Sequence, residues 1–138
     1  MTGFRYMLDT NVISDMVRNP DGRAARRVST LEDDALCTSA IVASELRYGL
    51  RKSGAVALAR RVEAVLGEME ILSYDAPVSF AYAQTRGALE KAGRPTGYPD
   101  LFIAAHALSL DLTLVTANVR EFSRVEGLKV ENWLEEAP

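Results

Sequence analysis

The sequence predicts an α/β fold, with a central parallel sheet of about four to five strands flanked by helices. Two observations predict it. Short apolar runs that read as buried strands alternate along the chain with longer segments of helical period, the pattern of repeated strand–helix–strand units. No repeat, low-complexity tract or linker interrupts the 138 residues, so they are expected to form one domain, 1–138, around a single core.

The elements follow in order. Phe4–Leu8 reads as a strand that stops at Asp9, and a helix follows at Val12–Arg18 with Thr10 or Asn11 as its cap. A second helix is expected at Arg23–Glu32. Ala35–Thr38 is the next strand, after which Ser39 caps a helix over Ala40–Arg51. Val56–Gly67 has helical period, Ile71–Ser73 is strand-like, and Asp75 stands as a cap before a helix at Pro77–Ala92 that ends at Gly93. A Gly- and Pro-rich approach leads into the almost wholly apolar helix Asp100–Leu110. Strands at Thr113–Thr116 and, more weakly, Leu128–Glu131 complete the set.

Composition narrows the class. Hydrophobic residues make up 48% and charged residues 25%, as in an ordinary globular protein. No apolar run approaches the ~20 residues of a membrane span, and no signal-peptide pattern opens the chain. The single cysteine, Cys37, forms no internal disulfide, reads as a small buried hydrophobe and suits a reducing, cytoplasmic setting. Net charge is −3, which does not by itself advertise nucleic-acid binding. Of the sixteen cationic side chains, however, only Lys52, Lys91 and Lys129 are lysines, leaving thirteen arginines. Arginine grips phosphate bidentately where lysine offers a point charge.

Four positions carry the chemistry. Asp9 stands at the carboxyl end of a strand, where ligands of parallel sheets sit, and is either a turn former or a first metal ligand. Glu45 falls in the middle of the helical face formed by Ile41, Val42, Leu46 and Tyr48, with Arg47 and Arg51 on the opposite side. A carboxylate on a core-facing stripe must be paired with an arginine, protonated or bound to a cation. Asp100 lies in the first turn of its helix, where it serves as a cap or as a rigidly held rim of a site. Thr116 and Asn118 offer a hydroxyl and an amide just past another strand. Two carboxylates ~4 Å apart repel by about 4 kcal/mol at an effective dielectric of ~20, so such a cluster calls for a cation. An all-oxygen donor set points to Mg2+ or Mn2+. His106, alone on a buried helix, is expected to be packed rather than a ligand.

At these residues the chain resembles the PIN-domain ribonucleases, in particular the VapC-type toxins of type II toxin–antitoxin pairs. The resemblance is carried by "MLDTNVISD", "TSAIVASELRYGL", "YPDLFIAAHAL" and "TLVTANVREF", in order over essentially the whole chain, with "GLKVENW" as a final strand. It implies a PIN-like three-layer sandwich and a metal-dependent endoribonuclease that leaves 5′-phosphate and 3′-hydroxyl ends and inhibits translation and growth. The four catalytic positions map to Asp9, Glu45, Asp100 and Asn118, with Asp9, Asp100 and Glu45 as Mg2+ ligands. Asn118 departs from the usual fourth acid and weakens the case for a second metal; Glu121, about one helical turn on, is either its substitute through a water or an exposed surface residue. Thr10, Asn11 and Thr116 are expected to orient ligands or waters, and Arg23, Arg26, Arg27, Arg47 and Arg120 to guide phosphates. The resemblance also implies a small antitoxin from a neighbouring gene, and a homodimer for which Tyr48, Leu50, Val62 and Leu66 offer apolar surface.

Two other classes share the opening motif. In a haloacid-dehalogenase-like phosphatase the second acid of the DxDxV opening is the acid catalyst, and Asn11 occupies that place. A receiver-like Mg2+-binding module needs a phosphoacceptor near Asp75. Both need a lysine after a later strand, and none of the three lysines stands there.

Overall fold

The computed structural model describes residues 3–135, so the extreme ends of the expected domain 1–138 lie outside the described residues. The strands are β1 (Tyr6–Leu8), β2 (Leu36–Ser39), β3 (Glu70–Leu72), β4 (Thr113–Val115) and β5 (Val130–Glu131). They form one sheet in the order β3-β2-β1-β4-β5, and every neighbouring pair is parallel. The chain runs outward from β1 through β2 to β3, then returns to the other side of β1 as β4. That reversal makes the crevice between β1 and β4 the switch point at which open α/β sheets bind ligands.

The helices are α1 (Thr10–Arg18), α2 (Arg23–Ser29), α3 (Ala40–Ser53), α4 (Val56–Leu66), α5 (Val78–Lys91), α6 (Tyr98–Ser109) and the short α7 (Val119–Phe122). α1 packs on α2, α3 and α4, while α5 pairs with α6, which also touches α3 and β4. Met7, Leu8, Ile13, Ile103, Leu114 and Phe122 are fully buried in one core. Cys37 is buried as expected, and desolvation, with Glu70 beside it, pushes its thiol up to about 12. No helix among the described residues is long and apolar enough to cross a membrane.

Several boundaries differ from expectation for local reasons. α1 begins at Thr10 because Asp9 is itself the cap, so neither Thr10 nor Asn11 serves as one. Ser39 does cap α3, accepting from the Ile41 N–H at 3.0 Å. Asp75 does not cap α5: Pro77 precedes it with φ −59° and ψ −29°, already helical, and no side-chain bond is needed. Gly93 closes α5 at φ 71°, with Gly93 N–H returned to Glu90 and Arg94 N–H to Leu89. α2 stops at Ser29, and a 3-10 turn at Asp33–Ala35 leads into β2. α6 starts at Tyr98 because Pro99 suits a first turn.

Of the four residues expected to offer apolar surface for dimerisation, Tyr48 is exposed and Leu50 half-buried, whereas Val62 and Leu66 are interior. Val62 and Leu66 are 4% and 2% exposed, because α4 spends its apolar stripe on α1 and α3, and Leu50 packs against the core. Tyr48, expected on the core-facing stripe of α3, is instead 68% exposed.

Candidate active site

The local sequence Asp9-Thr10-Asn11 folds into a knot of hydrogen bonds at the β1–α1 junction. Asp9 is 4% exposed, and its carboxylate accepts from the Thr10 N–H at 2.7 Å, the Thr116 hydroxyl at 2.8 Å and the Asn11 amide at 3.4 Å. Burial raises its pKa above the usual carboxylate range, while the bonds from Thr116, Thr10 and Asn11 pull it back down.

The neighbours tie this carboxylate to the rest of the site. Thr10 serves two acids, giving its N–H to Asp9 and its hydroxyl to Glu45 Oε1 at 3.0 Å. Asn11 clasps the end of β4: its amide donates to Thr116 Oγ1 at 3.3 Å and its carbonyl accepts from the Ala117 N–H at 2.9 Å. The fully buried Thr116 also accepts from the Asn118 N–H at 3.0 Å. β1, α1, α3 and the segment after β4 are thereby joined by side chains from three separated stretches of sequence.

Glu45 is half-buried on α3, and Arg47, near it in sequence, is committed elsewhere, forming a bidentate pair with Glu63 at 2.9 and 3.1 Å. Glu45 is therefore not half of a buried ion pair with that arginine. Asp100 lies in the first turn of α6, and its carboxyl is raised to about 6 by burial and by the charges of Asp9, Glu121 and Glu45. Glu121, on α7, thus lies near enough to act on Asp100; it also faces Arg124 at 3.5 Å. Asn118 is exposed at the start of α7, and its side chain makes no cap bond there.

The structure therefore brings Asp9, Glu45, Asp100 and Glu121 into one field, with Thr10, Asn11 and Thr116 holding the first two. The donors are hard oxygens throughout, which suits Mg2+ or Mn2+. Among the described residues no three acids, imidazoles or thiols already stand as a group able to hold an ion. The fit is thus one of donor chemistry and unbalanced charge, and the carboxylates must draw together for an ion to be held. His106 is packed, 1% exposed, with Nδ1 at 2.7 Å from Ser39 Oγ and the Tyr74 ring edge-on at 5.5 Å.

The arginines sort unevenly. Arg23, Arg27 and Arg120 line a cavity of about 990 Å3 that reaches Ala117, whereas Arg26 does not line it and Arg47 is paired on α3. Arg94 and Arg124 carried no clear mark in the sequence, although the spacing of Arg124 three residues beyond Glu121 was a legible signal of a helical pair.

Residues 6–128 match the family model of the PIN domain. The chain is 37% identical over 133 residues to the tRNA(fMet)-specific endonuclease VapC of Shigella flexneri, covering 94% of this chain and 98% of that protein. It is 35% identical over 130 residues to Ribonuclease VapC2 of Rickettsia felis, covering 93% and 97%. Among solved structures, VapBC2 from Rickettsia felis bound to a DNA fragment from its promoter superposes with a TM-score of 0.86 at 33% identity, over 93% of this chain and 98% of that one.

Proposed function

Since the chain belongs to the PIN-domain family, as the match over residues 6–128 shows, we propose that it is a Mg2+-dependent endoribonuclease, the toxin of a toxin–antitoxin pair. One observation carries the reading: at the switch point the buried Asp9, joined through Thr10 to Glu45, stands close enough to Asp100 to act on its charge, and burial together with Asp9, Glu121 and Glu45 raises the Asp100 carboxyl to about 6.

Asp9, Asp100 and Glu45 are assigned as the residues that hold the ion. Bound there, a divalent ion supplies a water of lowered pKa and offsets charge on the scissile phosphate. The rest is the work of this chain. Thr116, Thr10 and Asn11 fix both oxygens of Asp9, leaving its remaining lone pairs in a set direction. Thr10 orients Glu45 from the same residue that orients Asp9. Asp100, raised to about 6 by burial and by the charges of Asp9, Glu121 and Glu45, gives up its proton when a cation offsets those charges. The phosphatase and receiver readings are not favoured: both amide functions of Asn11 are engaged in holding Asp9 and the Ala117 N–H, and the relatives are nucleases.

The fourth ligand is testable. Glu121→Gln is expected to lower cleavage about 10–100-fold, and Asn118→Ala by no more than about threefold. Cleavage rates at saturating Mg2+ decide between them, and the reverse order would return the role to the Asn118 amide. The function itself is tested by incubating the purified protein with total RNA and with initiator tRNA, the substrate in the name of the Shigella flexneri relative, in Mg2+ or in EDTA. Discrete cuts bearing 5′-phosphate and 3′-hydroxyl ends, only in Mg2+, are expected. Cleavage indifferent to EDTA would remove the metal, and intact RNA in every condition would remove the nuclease.

A further inference from the structure

We propose that the pocket lined by Gly93, Arg94, Pro95, Arg120, Ser123 and Arg124 is a phosphate subsite that holds the RNA strand beside the scissile bond. The inference rests on the RNA-cleaving function proposed for the acid cluster and names where that substrate lies. The pocket has a volume of about 520 Å3 and sits between the end of α5 and α7. Three of its six lining residues carry guanidinium groups and none carries a carboxylate. In a chain of net charge −3 this is a local reversal of sign.

The pocket is shaped for an oxyanion. Gly93, at φ 71°, turns the chain out of α5 and leaves open space where a Cβ would stand, so that Arg94 enters the wall directly after the turn. Arg94 and Arg120 are both exposed, and Ser123 adds a hydroxyl. Planar guanidinium groups converging on one space bind phosphate by paired, charge-assisted hydrogen bonds.

The pocket also adjoins the acids. Arg124 reaches Glu121 Oε2 at 3.5 Å, and Glu121 is one of the charges acting on Asp100. Arg120 precedes Glu121 on the same helix and also lines the larger cavity that contains Arg27. That larger cavity includes Glu131 and Glu135 in its wall, which dilutes its positive charge. Beside Glu121, the pocket of Arg94, Arg120 and Arg124 is thus a basic wall without a carboxylate of its own.

The test measures KM and kcat for an RNA that the unaltered protein cleaves, across a series of salt concentrations. It compares Arg94→Gln, Arg120→Gln, the double variant, the two Arg→Lys variants and, as a control, Arg61→Gln on the exposed side of α4, outside the pocket wall. The double variant is expected to raise KM roughly tenfold with kcat within about twofold, and to flatten the dependence of log KM on log salt by about 0.7 for each phosphate no longer held. The lysine variants should recover part of the loss in KM, and Arg61→Gln should match the unaltered protein. Thermal melting reports folding, and Arg94→Gln alone carries the test where Arg120→Gln melts early. An unchanged KM and salt slope in the double variant overturns the subsite while leaving the nuclease intact. A double variant that cleaves normally but escapes inhibition by its antitoxin assigns the pocket to a protein partner and overturns it too. Failure of the unaltered protein to cleave any RNA strikes the underlying nuclease assignment instead.

Discussion

Asp9→Asn is expected to reduce RNA cleavage by a factor on the order of a thousand or more, with the fold unchanged. The substitution removes one charge and almost no volume. Its remaining amide oxygen still accepts the Thr10 N–H and the backbone bonds of Asp9 to Val115, Val12 and Ile13 remain, while the bonds that Asn11 and Thr116 give to the second carboxylate oxygen are lost or exchanged. What is lost is the anion at the centre of the acid cluster. In EDTA the variant should melt at or above the temperature of the unaltered protein, because a buried carboxylate and its repulsion of Asp100 are gone. In cells, expression of the unaltered protein without its antitoxin should arrest growth, and Asp9→Asn should relieve the arrest while still co-purifying with the antitoxin. Cleavage comparable to the unaltered protein would sink the assignment of the site.

The second large effect is on stability and depends on pH. The Asp100 carboxyl titrates near 3.8 in the unfolded chain and at about 6 in the folded one. Between these values the folded chain binds more protons, so stability falls as pH rises through that window and stays low above it. Asp100→Asn removes this loss. In EDTA it should stabilise the protein at pH 7.5 by about 1–2 kcal/mol, a figure reduced from the full shift because the group is only partly buried, and by nothing measurable at pH 4. The difference in Tm between variant and parent should therefore close as pH falls from 7 to 4. Taking that difference matters, because His106 acts oppositely: its pKa is lowered by burial, so its contribution is lost as pH falls below about 6.5. Saturating Mg2+ should stabilise the parent and not the variant. A gain from Asp100→Asn that is the same at pH 4 and 7.5 would mean that Asp100 carries no strained charge.

Much of this was legible because the acids sit where sheet topology puts ligands. Asp9 and Thr116 follow strands whose apolar runs end visibly, and the placement of Glu45 could be read from the wheel of α3. The same wheel misplaced Tyr48, since it assigns a face without knowing how far neighbouring helices extend to cover it. Val62 and Leu66 were legible as apolar but not as interior, because their burial depends on α1, more than forty residues earlier in the chain. Glu121 was the weakest signal: α7 is four residues long, too short to show a period, and only its approach to Asp100 marks it. The carboxylate of Asp9 as helix cap was hidden by two other good caps directly after it.

The order of strands has a consequence for how such a protein is made. β1 leaves the ribosome first, yet its second neighbour, β4, begins at Thr113, paired with Tyr6. At roughly 5–20 residues per second, some 5–20 s of synthesis separate the two, and Glu121 comes later still. Until then Asp9 lacks the hydroxyl of Thr116, and the central strand has an open edge. A nascent or truncated chain therefore carries the first acid without the cleft that gives it force. For the toxin proposed above, the hazard begins only once β4 and α7 have left the ribosome, when the surface that a protein partner would meet is formed as well.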